Sequence, residues 1–301
     1  MKISVVIPSY NGEHKLPNCL DALNKQTTSN FEVVVVIDGS TDKSLEILSN
    51  YLGSRVFNLV VIETLNGGRA TARNTGFANA SSEMILFLDD DAIPEFNLIE
   101  KHLNFHETNK DQILVGGGYR NPILANSGFS KYLVFIENKW RKNHFEKRVV
   151  DFNNFVFSSN NLSLSKELFL KLNQFDERLK DAEDFDLGVR ALINEMSVFY
   201  DNSVISWHND WPNLKEYIKR HNQYVKANAD LVSYYPEYLK WFPKLIPNKT
   251  NTIKCFILKL FRYTVGPFFI NENIFLKFLP LKFRFKCYQF TISAYSINNS
   301  R

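Results

Sequence analysis

Hydrophobic and polar positions fall into blocks along the first ninety or so residues of the chain. Ile3-Ser4-Val5-Val6-Ile7-Pro8 is a short β-branched run closed by a proline, and Phe31-Glu32-Val33-Val34-Val35-Val36-Ile37 is a second. Between them Leu16, Leu20 and Leu23 recur at helical spacing, and after the second run Leu45, Leu48 and Leu52 do the same. An apolar strand over 56–62, a helix over 70–80 and a strand over 84–88 follow. Strands alternating with helices predict βαβ units and a parallel sheet. Right-handed crossovers then bring the carboxyl ends of the strands to one edge. Met84-Ile85-Leu86-Phe87-Leu88 is apolar throughout, the pattern of a strand covered on both faces. Further on, a helix starts near Ser165, Val204-Ile205-Ser206-Trp207-His208 reads as a strand, and a helix over 214–235 ends before Pro236. The expected division is an α/β domain over 1–212 and a mainly helical module over 213–301, with Pro236, Pro243 and Pro247 as joints.

Chemistry concentrates where the covered strand ends, at Asp89-Asp90-Asp91. Adjacent carboxylates repel one another unless a cation sits among them. Hard oxygen ligands suit Mg2+ or Mn2+. A solvated acidic turn is the plain alternative. Asp38 closes the second strand, so a parallel sheet places it on the same edge, where open α/β sheets bind their ligands. A second acidic group, Asp181-Ala182-Glu183-Asp184-Phe185-Asp186, opens an apolar helical pattern. Carboxylates are favoured at a helix N-terminus, so this group reads as a helix start or as the source of a catalytic base.

Four segments occur in order: Val6-Ile7-Pro8-Ser9-Tyr10-Asn11, Asp38-Gly39-Ser40-Thr41-Asp42, Asn66-Gly67-Gly68-Arg69-Ala70-Thr71-Ala72-Arg73-Asn74-Thr75-Gly76, and Phe87-Leu88-Asp89-Asp90-Asp91. The series resembles the successive motifs of the family-2 glycosyltransferases, over roughly residues 2–210. The resemblance implies a GT-A fold, α/β with a mostly parallel central sheet and helices on both faces, here with a C-terminal helical extension. It also implies an inverting hexosyltransferase, with a UDP-linked nucleotide-sugar donor, a hydroxyl of a cell-surface glycan or lipid-linked acceptor, and Mn2+ or Mg2+.

Carried over residue by residue, the resemblance puts Pro8, Tyr10 and Asp38 at the donor base and ribose. Tyr10 offers a ring face for stacking and Asp38 an acceptor for base or ribose donors. Asn66 belongs to a tight turn with Gly67 and Gly68. Arg73 meets a phosphate through its planar fork, or pins its helix to the sheet by a salt bridge. Asp89 and Asp91 fall on the family's metal and ribose positions, with Asp90 in the variable slot between them. Asp184 is the base that takes the acceptor proton, with Glu183 beside it. Asn160 and Asn161 contact sugar hydroxyls, or cap the helix near Ser165. Trp207 stacks on a sugar or fills the core, and His208 is a third metal ligand or an ordinary structural histidine. Two other readings stand beside this one. A sugar nucleotidyltransferase usually carries a Gly-rich basic loop after strand one, where this chain has Ser9-Tyr10-Asn11-Gly12-Glu13. A non-catalytic sugar-binding module needs neither base nor metal triplet.

Composition fits a globular enzyme, with 301 residues and 45% apolar content. Three cysteines, Cys19, Cys255 and Cys287, form no even framework, and the first strand starts at once, leaving no room for a signal peptide. Both features point to the cytoplasm. Charge changes the picture at one end. Residues 251–301 hold eight Lys/Arg and one acid, a net of +7, while the preceding 250 carry a net of −3. Nine of the 26 phenylalanines lie in the same stretch. Basic residues among large apolar ones suggest peripheral contact with a membrane, at the inner face of the plasma membrane. The alternative is a helical subdomain packed on the rest. No nucleic-acid-binding motif accompanies the charge.

Overall fold

The computed structural model describes residues 2–53, 56–142, 147–246, 252–264 and 278–296. Strands β1 (Ile3–Ser9), β2 (Phe31–Asp38), β3 (Asn58–Thr64) and β4 (Met84–Leu88) pair in parallel, in the order β3-β2-β1-β4. Helices α1 (Leu16–Leu23), α2 (Ser44–Ser49) and α3 (Arg69–Asn79) lie between them in the chain, as the periodicity predicts. Helix α2 is shorter than the leucine spacing suggests: Leu48 is buried, but Leu45 and Leu52 are exposed, and the chain turns at Gly53 with φ +87°. Pro8 fits inside a central strand because the β1–β4 register stops at Val6 opposite Phe87, so its missing N–H breaks no bond on that side.

Of the second half of the sheet, the sequence pattern marked only the segment 204–208. Strand β8 (Asn161–Ser165) runs antiparallel to β4 and to β6 (Gln112–Arg120), so β6 runs the same way as β4. Strand β9 (Ser197–His208) follows β6 in the sheet order, and the short β5 (Ala92–Pro94) and β7 (Arg148–Val149) pair antiparallel with it. The last residue of β9, His208, lies beside Asp91 just past β4, so its carboxyl end reaches the same edge. The sheet is thus mostly parallel, with β8 the reversed principal strand.

Alternation along the strands divides the core between the two faces. Ile3, Val5, Ile7, Val33 and Val35 pack with Leu16, Leu20 and Leu98 of helix α4 (Leu98–Thr108). Val6, Val34, Ile85 and Phe87 pack with Phe77, Phe169 of helix α6 (Lys166–Lys171) and Leu187 of helix α7 (Glu183–Ile193). Each fully buried side chain of this size contributes about 1.5–3 kcal/mol.

The chain divides into two compact units, residues 1–119 with 144–209 and residues 120–143 with 210–301. The sheet lies in the first. The second contains α5 (Gly128–Lys142), α8 (Leu214–Tyr234), α9 (Thr252–Thr264) and α10 (Leu281–Ser296). Its core is Phe129, Tyr132, Leu133, Leu214, Ile218, Tyr288 and Ile292. Helix α5 therefore joins the C-terminal helices although it precedes residue 212. A capping box starts α8: Asn213 Oδ1 accepts from Glu216 N–H at 3.0 Å, and Glu216 Oε2 accepts from Asn213 N–H at 2.9 Å. The basic tail is split by this packing. Tyr288, Thr291 and Ile292 of α10 are buried, while Phe256, Ile257, Leu260 and Tyr263 of α9 and Phe283 and Phe290 of α10 are exposed. Glu272, Lys277 and Arg301 lie outside the described residues.

Candidate active site

The carboxyl edge of the parallel strands is built from loops that hold one another. Asp38, the last residue of β2, is buried, and its carboxylate accepts Gly67 N–H at 2.7 Å and Gly68 N–H at 2.9 Å. Its carbonyl accepts from Asn66 Nδ2 at 2.9 Å. Gly39 follows with φ +69°, and a Cβ there would stand 2.7 Å from Asn66 N, so the close pass of the loops requires glycine. Asn11 Oδ1 accepts from Thr41 N–H at 2.9 Å, and Gly12 N–H donates to Ser44 Oγ at 2.8 Å, which ties the β1 and β2 loops together. Tyr10 projects from this frame with half of its surface exposed.

The three successive aspartates go three ways. Asp89 accepts from Arg73 Nη2 at 2.7 Å. Burial pushes its carboxyl up, but the Arg73 and His208 charges outweigh this and hold it below the usual range. Asp90 turns inward, accepting from Ser9 Oγ at 2.8 Å and Lys15 Nζ at 3.3 Å. Burial raises it to about 6, against the pull of Lys15. Asp91 Oδ1 is buried and accepts no hydrogen bond, and His208 Nδ1 stands 3.2 Å from it. One ligand atom each of Asp89, Asp91 and His208 lies within 4.8 Å of the others. Two carboxylates and an imidazole suit Mn2+ or Mg2+, and the buried Asp91 Oδ1, facing the His208 imidazole, is placed to meet a cation. The donor set fits the ion that the resemblance implies.

Helix α7 brings the second acidic group to the same edge. Arg73 Nη1 donates to Glu183 Oε1 at 2.6 Å, so one guanidinium joins Asp89 to the start of α7. Glu183 is 2% exposed; burial lifts it to about 7, with Arg73 opposing and Asp184 adding to the rise. Asp184 is half-buried in the first turn of the helix, its Oδ1 accepting Phe185 N–H at 2.7 Å. Asp186 is buried against Arg190, which also donates to the carbonyls of Leu172 and Gln174. Of these acids, Asp184 is the one that is neither paired with arginine nor sealed from solvent.

Several expected site residues sit elsewhere than the sequence suggested. Arg73 is 2% exposed with its fork on Asp89 and Glu183, the salt-bridge arrangement of the two the sequence offered. Asp90 is committed to Ser9 and Lys15. Asn161 is fully buried, and its Nδ2 donates to Gly117 O at 3.2 Å and Val204 O at 2.8 Å. Glu183 is likewise buried. The helix near Ser165 is capped by Ser165 itself, whose Oγ accepts Leu168 N–H at 3.2 Å, and not by the asparagines. Asn160 meets His208, its side-chain amide 2.8 Å from Nε2. Trp207 is half-buried on β9 opposite Ile93. Sequence reasoning missed Ser9 and Lys15 as partners of Asp90, and missed β6. The run Gly116-Gly117-Gly118 at the centre of β6 lacks apolar alternation, and that was the available signal.

The sequence model of glycosyl transferase family 2 matches residues 4–172. The chain is 35% identical over 209 residues to poly(ribitol-phosphate) β-glucosyltransferase of Bacillus spizizenii, covering 67% of this chain and 31% of that protein. It also spans only 62% of the length of two Rickettsia glycosyltransferases it matches. Among solved structures, S. aureus TarS in complex with UDP-GlcNAc superposes with a TM-score of 0.56 at 22% identity, over all of this chain and 89% of that one. The mannosyltransferase PcManGT from Pyrobaculum calidifontis, in complex with GDP-Man and Mn2+, gives 0.64 at 16% identity, over 99% of this chain and 86% of that one. Both likenesses establish the GT-A fold.

Proposed function

Since the chain belongs to glycosyl transferase family 2, and is therefore a glycosyltransferase, we propose that it moves a sugar from a UDP-linked donor to a hydroxyl of a cell-surface glycan or glycolipid, with inversion. The observation that carries this reading is the Asp89, Asp91 and His208 group within 4.8 Å at the carboxyl edge, joined through Arg73 to the helix that bears Asp184. A bound Mn2+ or Mg2+ would supply charge neutralisation on the donor diphosphate. The rest is the chain's own work. Tyr10 stacks on the base, and the Asp38-braced turn of Asn66, Gly67 and Gly68 bounds the donor. Asp184 accepts the proton of the acceptor hydroxyl as its oxygen bonds to the anomeric carbon. The bond from that carbon to the diphosphate oxygen breaks, and its electron pair leaves with the nucleoside diphosphate. Attack from the face opposite the leaving group inverts the centre. Arg73 keeps Asp89 ionised and fixes the start of α7.

Asp91→Asn should remove Mn2+ binding, weaken donor binding and reduce transfer by about a thousandfold or more, the several kcal/mol that a Lewis acid supplies. Release of UDP from a panel of UDP-sugars, before and after reversible chelation by EDTA, measures this. Turnover that persists through thorough chelation would remove the ion from the mechanism.

The acceptor side of the proposal includes a membrane surface. No helix among the described residues is long and apolar enough to span a bilayer. Phe256, Ile257, Leu260 and Tyr263 lie on one exposed stripe of α9 beside Lys259, and Phe283 and Phe290 flank Lys286 on α10. Aromatic and aliphatic side chains interleaved with lysine suit the interface of an anionic bilayer, at about 1 kcal/mol per basic residue. The protein should co-sediment with phosphatidylserine vesicles at low salt, and not with phosphatidylcholine ones. Phe256→Ser with Leu260→Ser should lose binding without loss of fold, because neither side chain is in the core. Equal sedimentation of the double variant would refute the assignment.

A further inference from the structure

Which nitrogen of His208 can join the two aspartates is decided by what holds the other one. Nδ1 stands 3.2 Å from Asp91 Oδ1, and Nε2 stands 2.8 Å from Asn160 Nδ2, the amide nitrogen. The ring is thus held at both ends, with Nδ1 turned to Asp91. A neutral imidazole carries one proton. If the amide nitrogen of Asn160 donates to Nε2, the ring proton is on Nδ1 and points at Asp91. If the amide oxygen accepts from Nε2, the proton is there, and the Nδ1 lone pair faces the carboxylate group. A half-turn of one amide exchanges the two states.

We infer that Asn160 is a positioning residue: by accepting the Nε2 proton of His208 it makes Nδ1 the ligating atom, and it reverses this when the site holds no cation. The inference rests on the metal reading given above. The architecture is specific to this amide. The β4–β8 register pairs Leu88 with Asn161, so Asn160 falls opposite Asp89, one step beyond the ladder. From the other side, a Cβ on Gly118 would stand 2.4 Å from Asn160 Nδ2 and 2.9 Å from its Oδ1. All three nearest atoms to that added Cβ belong to the Asn160 side chain. Glycine at 118 is the space in which the amide sits. Ligating histidines elsewhere are oriented by such an acceptor on the second nitrogen, and losing it weakens metal binding about 10–100-fold.

The test uses Mn2+ itself, with free ion counted by electron paramagnetic resonance and histidine coordination read from the nitrogen coupling in pulsed spectra. Asn160→Leu should weaken Mn2+ binding about 10–100-fold and diminish the nitrogen coupling, with no matching change in melting temperature. Asn160→Asp, an acceptor in either orientation, should retain both affinity and coupling. Gly118→Ala should reproduce Asn160→Leu, yet add nothing in an Asn160→Ala background, where the clash is absent. Gly118→Ala also decides the matter should Asn160→Leu not fold. Wild-type affinity and coupling in Asn160→Leu or in Gly118→Ala would overturn the inference while leaving the metal site standing, provided Asp91→Asn still loses the ion. If Asp91→Asn binds Mn2+ as the parent does, the metal reading falls, and the inference with it.

Discussion

Two polar clusters with histidines lie in the sheet unit, and they are built on opposite terms. One is closed. His102 Nδ1 lies 2.7 Å from Ser163 Oγ and Nε2 2.8 Å from Asn161 Oδ1, while His106 lies 2.7 Å from the same Ser163 oxygen and 3.2 Å from Asn109 O. These four contacts are all with neutral groups, and burial drives His102 down to about 3 and His106 to about 4, so both rings are neutral. The other cluster is open. It gathers Asp89, Asp91, Glu183 and Asp184 around Arg73 and His208, and leaves Asp91 Oδ1 and Glu183 Oε2 buried without a hydrogen bond. A buried polar group is tolerated when its partners are inside the protein. Where charge accumulates and a partner is missing at an accessible edge, as at Asp91, a cation from outside would complete the set. The closed cluster is therefore architecture, and the open one is the cluster to which the proposed function assigns substrate chemistry.

The strongest way to break this contrast is at Asp184. Asp184→Asn keeps shape and loses proton acceptance, so transfer should fall about 10²–10⁴-fold while donor affinity stays near normal. Single-turnover rates alongside nucleotide-sugar titration separate the two. A collapse of donor binding would make Asp184 part of the metal environment and leave the base to be found elsewhere.

How far the contrast could be read from sequence depends on whether the signal was local. Val33–Ile37 and Met84–Leu88 announce covered strands because every residue is apolar, and Leu16, Leu20 and Leu23 announce a helix because their period is undisturbed. Asp38 and Asp89 reach one edge by topology alone. What the sequence did not carry is direction of the side chain after the strand ends. Asp90 and Asp91 are neighbours with identical chemistry, yet one is locked on Ser9 and Lys15 and the other faces His208. Those partners lie 81, 75 and more than a hundred positions away. Asn160 and Asn161 divide likewise, one to the open cluster and one to the closed. Arg73 was legible as either a phosphate ligand or a salt bridge, and only the burial of its guanidinium between two acids decides it.

Arg73 offers the next sharpest test. Arg73→Leu leaves Asp89 and Glu183 facing each other without a cation, and removing one partner of a buried ion pair costs about 3–5 kcal/mol. Urea unfolding should show that loss, and Arg73→Lys, which keeps charge but not the fork, should fall between. A leucine variant as stable as the parent would show that the clamp is not needed to hold α7, and the open cluster would then be less strained than described.

The smallest effect concerns the closed cluster and follows from counting protons. Two neutral rings and one hydroxyl supply three hydrogens for the four contacts. One contact is therefore without a hydrogen, and the longest of the four is His106 Nδ1 to Asn109 O at 3.2 Å. Acid would add it there first, which agrees with His106 titrating at about 4 and His102 at about 3. Because both folded values lie below the ordinary 6.5, the unfolded chain binds these protons more readily. The cluster's contribution is therefore complete above pH 6.5 and is lost as pH falls toward 4 and then 3. Each ring makes stability fall by about 1.4 kcal/mol per pH unit in that window. Denaturant midpoints between pH 7 and pH 5 should decline accordingly, and His106→Gln, which cannot take the proton, should flatten the slope by one ring's share. An unchanged slope in His106→Gln would mean that the acid sensitivity lies among the carboxylates, and that the two clusters differ less than their contacts imply.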